Sequence, residues 1–191
     1  MDAKIYMDVF TSIDVNDFVI KASQTDDSTG TVLRVHLLCE KMVEAWVCAS
    51  TGFPQLFDDD GSQLLIECSS KLKLAKNTGL PDGLYKAFKV INTLRNDIAH
   101  NPSRQEIPDS KIASIRSNLD NHLGSKGKEL TGKHYIKTFN ESGEYLGYAT
   151  FDSEESSNKL KLSLALNIIV GEMAVEVSSR NKKWDNDFRQ K

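Results

Sequence analysis

Residues 82–100 read DGLYKAFKVINTLRNDIAH. Within them Leu84, Phe88, Ile91, Leu94 and Ile98 recur at steps of three and four, the spacing that gathers apolar side chains on one face of an α-helix. Pro81 precedes the stretch and suits a helix N-terminus, where its missing N–H would go unpaired in any case. Asn101-Pro102 follows it, and the residue before a proline is steered out of helical geometry, so the helix is predicted to stop at His100. One face is therefore committed to a core, and Arg95, Asn96 and His100 stand off it at polar positions.

The same periodicity extends in both directions. Residues 5–22 (Ile5, Val9, Phe10, Ile13, Val15, Phe18, Val19) predict a short amphipathic helix or helical pair, and the polar run 23–30 a loop with N-cap candidates. Residues 31–50 carry a wide apolar stripe through Val32, Val35, Leu38, Cys39, Met42, Trp46 and Ala49, ended by Gly52 and Pro54. Residues 62–77, with Leu64, Leu65, Cys68, Leu72 and Ala75, predict another helix capped by Asn77 and Gly79. A fifth helix is expected over 109–123, with Ile112, Ile115, Leu119 and Leu123 inward. Residues 124–134 are rich in Gly, Lys and Ser. Aromatic and alternating residues then flank Asn140-Glu141-Ser142-Gly143, the pattern of a β-hairpin at about 134–152. The last long helix is expected over 156–178. The charged tail 179–191 is expected to fray, with Trp184 and Phe188 as candidate anchors. The chain thus reads as one mainly all-α domain, residues 1–191: an antiparallel helix bundle with a β-hairpin inserted before the last helix.

At 191 residues a core of this kind needs no disulfide or metal staple. A net charge of -3 argues against a general duplex-DNA binder, though not against a local basic cleft. Cys39, Cys48 and Cys68 lie in apolar-periodic segments, form no C-x-x-C pair and are odd in number. They read as three buried thiols in a reducing compartment. None of His36, His100, His122 and His134 stands at a finger-like spacing from them, so no structural zinc site, and no other metal or cofactor, is expected. Met1-Asp2-Ala3-Lys4 has no apolar run behind it to serve as a secretory signal, and Leu160–Val177 contains Lys161, Glu172 and Glu176, costly at membrane depth. The cytoplasm is the expected compartment, with no membrane partner.

The polar edge at 95–100 has the residue types of phosphate chemistry. Arginine offers a planar, permanently charged fork for phosphate oxygens. Histidine titrates near neutrality and can move a proton as general acid or base. Asn96 and His100 are an i, i+4 pair on one face, whereas Arg95 and His100 diverge by roughly 140° on an ideal helix. All three are expected to line one edge only if the last turn loosens. In ribonucleolytic cleavage a histidine takes the 2′-hydroxyl proton and an arginine stabilises the charge that builds on phosphorus, with no metal required. The competing reading is structural: a helix-terminal histidine gains from the helix dipole, and Arg95 pairs with Asp97 or a neighbouring acid.

The run Leu94-Arg95-Asn96-Asp97-Ile98-Ala99-His100, closing an amphipathic helix, resembles the R-N-x-x-x-H signature of the HEPN superfamily, helical bundles found in many prokaryotic RNase toxins and defence proteins. A wider pattern, from Lys71-Leu72-Lys73-Leu74-Ala75 through Gly79-Leu80 to His100, resembles one branch, the mannitol-operon-repressor (MltR-like) family. The resemblance covers roughly residues 30–123 and the last helix; the hairpin has no match in it. It implies one of two functions. HEPN RNases act as homodimers with Arg and His of both subunits in a shared cleft, which would make Arg95 and His100 catalytic, Asn96 supporting and RNA the substrate. MltR-like regulators are non-catalytic, work through protein contacts and lack a conventional DNA-reading helix. A small toxin-neutralising module would work the same way. The intact motif favours the first, and the acidic balance and overall spacing the second.

Other candidates read more plainly. Asp58-Asp59-Asp60-Gly61 lacks the closing glutamate of a calcium loop and reads as a solvated turn. Met42 and Trp46 read as core. Lys126-Gly127-Lys128 with Lys133-His134 is a modest basic loop beside the aromatic hairpin. His36 is expected in a core or interface, and His122 on the surface.

Overall fold

A computed structural model of the chain describes residues 1–12, 27–59, 62–100, 106–139 and 142–189. Among these residues it holds six α-helices: α1 (Ala3–Phe10), α2 (Ser28–Thr51), α3 (Cys68–Asn77), α4 (Asp82–His100), α5 (Asp109–Ser125) and α6 (Asn158–Arg189). Two short antiparallel pairs complete it, β1 (Asp58–Asp59) with β2 (Ser62–Gln63), and β3 (Ile136–Phe139) with β4 (Tyr145–Ala149). The expected all-α class with a hairpin before the last helix is what the chain forms.

The helices close a ring: α2 packs on α4, α4 on α5, α5 on α6 and α6 back on α2, while α1 and α3 flank α2. The stripe on α2 therefore meets neighbours on every side, and Val32, Val35, Leu38, Met42 and Trp46 are all fully buried. Asp27 starts α2 by accepting from the backbone N–H groups of Thr29 (2.9 Å) and Gly30 (2.8 Å). Gly52 ends it at φ 79°, a left-handed cap that a side chain would strain. Gly83 sets how closely α4 approaches α5, since a Cβ there would stand 2.7 Å from both the Asn118 carbonyl oxygen and the His122 Cβ.

Several boundaries differ from the sequence reading. The first helix stops at Phe10, and the expected continuation over 13–26 lies outside the described residues. The helix expected from residue 62 begins at Cys68. Residues 62–63 pair with 58–59 instead, and Leu64 N–H bonds the Phe57 carbonyl (2.8 Å), drawing the chain into an extended path that leaves Leu65 in solvent. The final helix does not fray at 179. It runs to Arg189, and at its continuation past 178 the Arg180 guanidinium lies 4.9 Å from the Trp46 ring centre and donates to the Gly79 carbonyl (2.6 Å). The side chains of Trp184 and Phe188 lie outside the described residues.

In the hairpin, Ile136 faces Ala149 and Lys137 faces Tyr148, with a register shift between Thr138 and Phe139. Ala149 and the following Phe151 are buried, while Tyr135, Phe139, Tyr145 and Tyr148 form an exposed edge-to-face ladder with ring centres 4.8 to 5.9 Å apart. No helix among the described residues is long and apolar enough to cross a membrane.

Candidate functional site

The polar edge of α4 faces the N-terminal end of α3 and one side of α2 across a cleft of about 400 Å³. Arg95, Asn96 and His100 line it from α4, together with Asn92 one turn earlier. His36 and Glu40 line it from α2, and Glu67, Cys68 and Ser69 from the start of α3. The apolar stripe of α4 positions this edge: Leu84, Ile91, Leu94 and Ile98 are buried on the opposite side and fix the helix in rotation.

The three sequence-derived residues therefore share one cavity, by a different route from the one expected. The last turn does not loosen, for α4 is helical through His100. Arg95 folds across the helix surface instead, its Nη1 donating to Asn96 Oδ1 at 3.2 Å. The length of the arginine side chain bridges the angle that the backbone leaves open. Asp97, the expected partner of Arg95 in the structural reading, pairs with Lys111 of α5 (3.0 Å). Asn101-Pro102, expected to stop the helix, lies outside the described residues.

The α2 and α3 side of the cleft was not legible as a site in the sequence. His36 is buried, as expected of it, and its Nε2 makes a 3.0 Å hydrogen bond with Asn92 Oδ1, bridging α2 to α4. The amide oxygen can only accept, so Nε2 carries the proton and Nδ1 presents a lone pair. Nδ1 lies 3.9 Å from Glu40 Oε2. Burial is the main influence on His36 and depresses its basicity, against the opposing pull of Asn92 and Glu40. The other Glu40 oxygen, Oε1, accepts from Lys71 Nζ at 2.8 Å, and the same ammonium reaches Glu44 Oε1 at 2.6 Å. Cys68 is half-buried rather than sealed in the core like Cys39 and Cys48. Burial first, then the Glu40 carboxylate, pushes its thiol up to about 12. The only sequence signal for this wall was the i, i+4 spacing of His36 and Glu40 on α2.

His122 is a second correction. It is buried instead of surface-exposed, its Nε2 3.1 Å from Glu172 Oε2, and Glu172 also binds Lys128 Nζ at 2.8 Å. Glu176 joins this group through Lys126. The signal was present: His122 follows Ile115 and Leu119 at the core-facing spacing of α5. This buried cluster ties α5 to α6 and does not line the cleft.

The cleft thus combines a fixed guanidinium, an exposed imidazole at a helix end, a buried imidazole and a half-buried thiol. Such a set can bind an oxyanion and move a proton beside it. Compared with protein-family models, curated proteins and solved structures, the chain matches none.

Proposed function

We propose that this cleft cleaves RNA without a metal ion, in the manner of a HEPN-type endoribonuclease, as a toxin or defence effector. The observation that supports the reading is that Arg95, Asn96 and His100 open onto one cavity of about 400 Å³, large enough for a phosphodiester and its flanking ribose. His100 takes the proton of a ribose 2′-hydroxyl. The 2′ oxygen then bonds to phosphorus, the bond from phosphorus to the 5′ oxygen breaks, and the departing oxygen takes up a proton, leaving a cyclic phosphate and a 5′-hydroxyl end. Arg95, held by Asn96, stabilises the charge on the non-bridging oxygens. A homodimer would bring a second Arg95 and His100 to the same substrate, and light scattering tests for it. Purified wild-type chain and His100→Ala, each incubated with total RNA with and without EDTA, test the activity. Wild-type cleavage that survives EDTA and is lost in the variant is expected, and equal cleavage by the variant would overturn the proposal.

A second reading, a non-catalytic regulator of the MltR-like kind or a toxin-neutralising protein that docks on a partner, draws on the exposed face of the hairpin, which lies outside the MltR-like resemblance. Tyr135, Phe139, Tyr145, Leu146 and Tyr148 are each more than half exposed, more apolar surface than an isolated hairpin ordinarily leaves in water. One stoichiometric partner on a pull-down, lost in Tyr145→Ser/Tyr148→Ser, together with no RNA cleavage by the wild type, would select it.

A further inference from the structure

We infer that His36 Nδ1, Glu40 Oε2 and Cys68 Sγ form a binding site for one Zn²⁺-class transition-metal ion on the α2–α3 wall of the cleft. One ligand atom from each of the three residues lies within 4.8 Å of the others. A tetrahedral zinc ion with N, O and S ligands holds them about 3.3–3.7 Å apart, as its bond lengths of about 2.0–2.3 Å require. Binding the ion therefore draws the ligand atoms together by up to about 1.5 Å.

The surroundings are those of a prepared ligand set. Asn92 Oδ1 accepts from His36 Nε2 at 3.0 Å, which fixes the ring and turns the bare Nδ1 toward Glu40. Lys71 holds Glu40 by Oε1 alone and leaves Oε2 facing His36. Cys68 is the first residue of α3, and its thiol gives up its proton on binding the ion, so affinity rises with pH. His36 and Glu40 share a face of α2 at i, i+4, and the fold brings α3 to them. One nitrogen, one sulfur and one carboxylate oxygen suit zinc or cobalt and disfavour calcium and magnesium, which take oxygen. All three residues line the cleft, so the fourth coordination position opens to solvent, as in zinc sites that bind a water or a small ligand. The site stands independently of the RNA reading, because neither Arg95 nor His100 is a ligand.

The test reads the metal directly. The full chain, stripped with a chelator, is titrated with Co²⁺ and followed by absorption. A thiolate-to-cobalt charge-transfer band and tetrahedral ligand-field bands are expected, saturating at one ion per chain and quenched by Zn²⁺. Cys68→Ser, which keeps nearly the same side-chain volume, should remove the charge-transfer band although Cys39 and Cys48 remain. His36→Gln should weaken binding at least about tenfold, and His100→Ala should leave the spectrum unchanged. No charge-transfer band in the wild type, or one that persists in Cys68→Ser, would overturn the inference. Loss of RNA cleavage in His100→Ala bears only on the earlier proposal.

Discussion

His36 and Asn92 join across the cleft, Nε2 to Oδ1 at 3.0 Å, and this single bond links the central helix α2 to the helix that carries Arg95 and His100. Replacing Asn92 with alanine leaves a buried imidazole N–H without its acceptor. The expected cost is about 1–3 kcal/mol, read as a lower urea midpoint with unchanged slope. A midpoint equal to wild type would show that the bond does not hold the cleft together.

Arg95 and His100 are both exposed, so their loss should change chemistry without changing stability. His100→Ala and Arg95→Ala are expected to melt as the wild type does, within about 0.5 kcal/mol. Arg95→Lys keeps the charge and loses the planar fork, and RNA cleavage should fall on the order of 10²-fold. Unimpaired cleavage in Arg95→Lys would remove the guanidinium from the mechanism.

Lys71 is buried between Glu40 and Glu44, at 2.8 and 2.6 Å. Lys71→Met preserves the packed stem but strips two carboxylates of a shared cation, and Glu44 is itself buried. A loss of about 3–5 kcal/mol is expected by chemical denaturation. Adding Glu44→Gln should recover part of it, and a double variant no more stable than Lys71→Met would contradict the pairing.

The burial of His122 and the cations around Glu172 make stability fall with acid. Burial depresses His122 below its ordinary 6.5 more than its Glu172 partner raises it. Burial alone would lift Glu172, but Lys128 and His122 outweigh it and hold the carboxyl below its ordinary 4.5. Both groups bind protons more weakly folded than unfolded, so each contributes stability above its ordinary value that is lost as the pH falls through its folded one. Unfolding free energy should therefore decline as pH drops below about 6.5 and again below about 4.5. His122→Gln should flatten the upper limb, and an unchanged slope in that variant would assign the acid sensitivity elsewhere.

The sequence by itself determined the helices and their inward faces. The period of Leu84, Ile91, Leu94 and Ile98 is a local property that needs no partner to be read, and it left Asn96 and His100 together on the far edge, with Arg95 turned away from His100. The hairpin was equally legible, since strand alternation and a glycine-bearing turn lie within a short span. Residues 62–67 were misread because their apolar side chains fit a helix locally, while the deciding bond, Leu64 to Phe57, belongs to the turn before them.

Tertiary structure alone decided what stands opposite that edge. His36, Glu40 and Cys68 come from two helices separated by a long connection, and no spacing rule joins them. Their meeting follows from the packing of α3 and α4 on α2, which depends on apolar contacts distributed over the whole bundle. It also decided how Arg95 reaches the cavity, for the helix angle forbids it and only the bent side chain, caught by Asn96, supplies it.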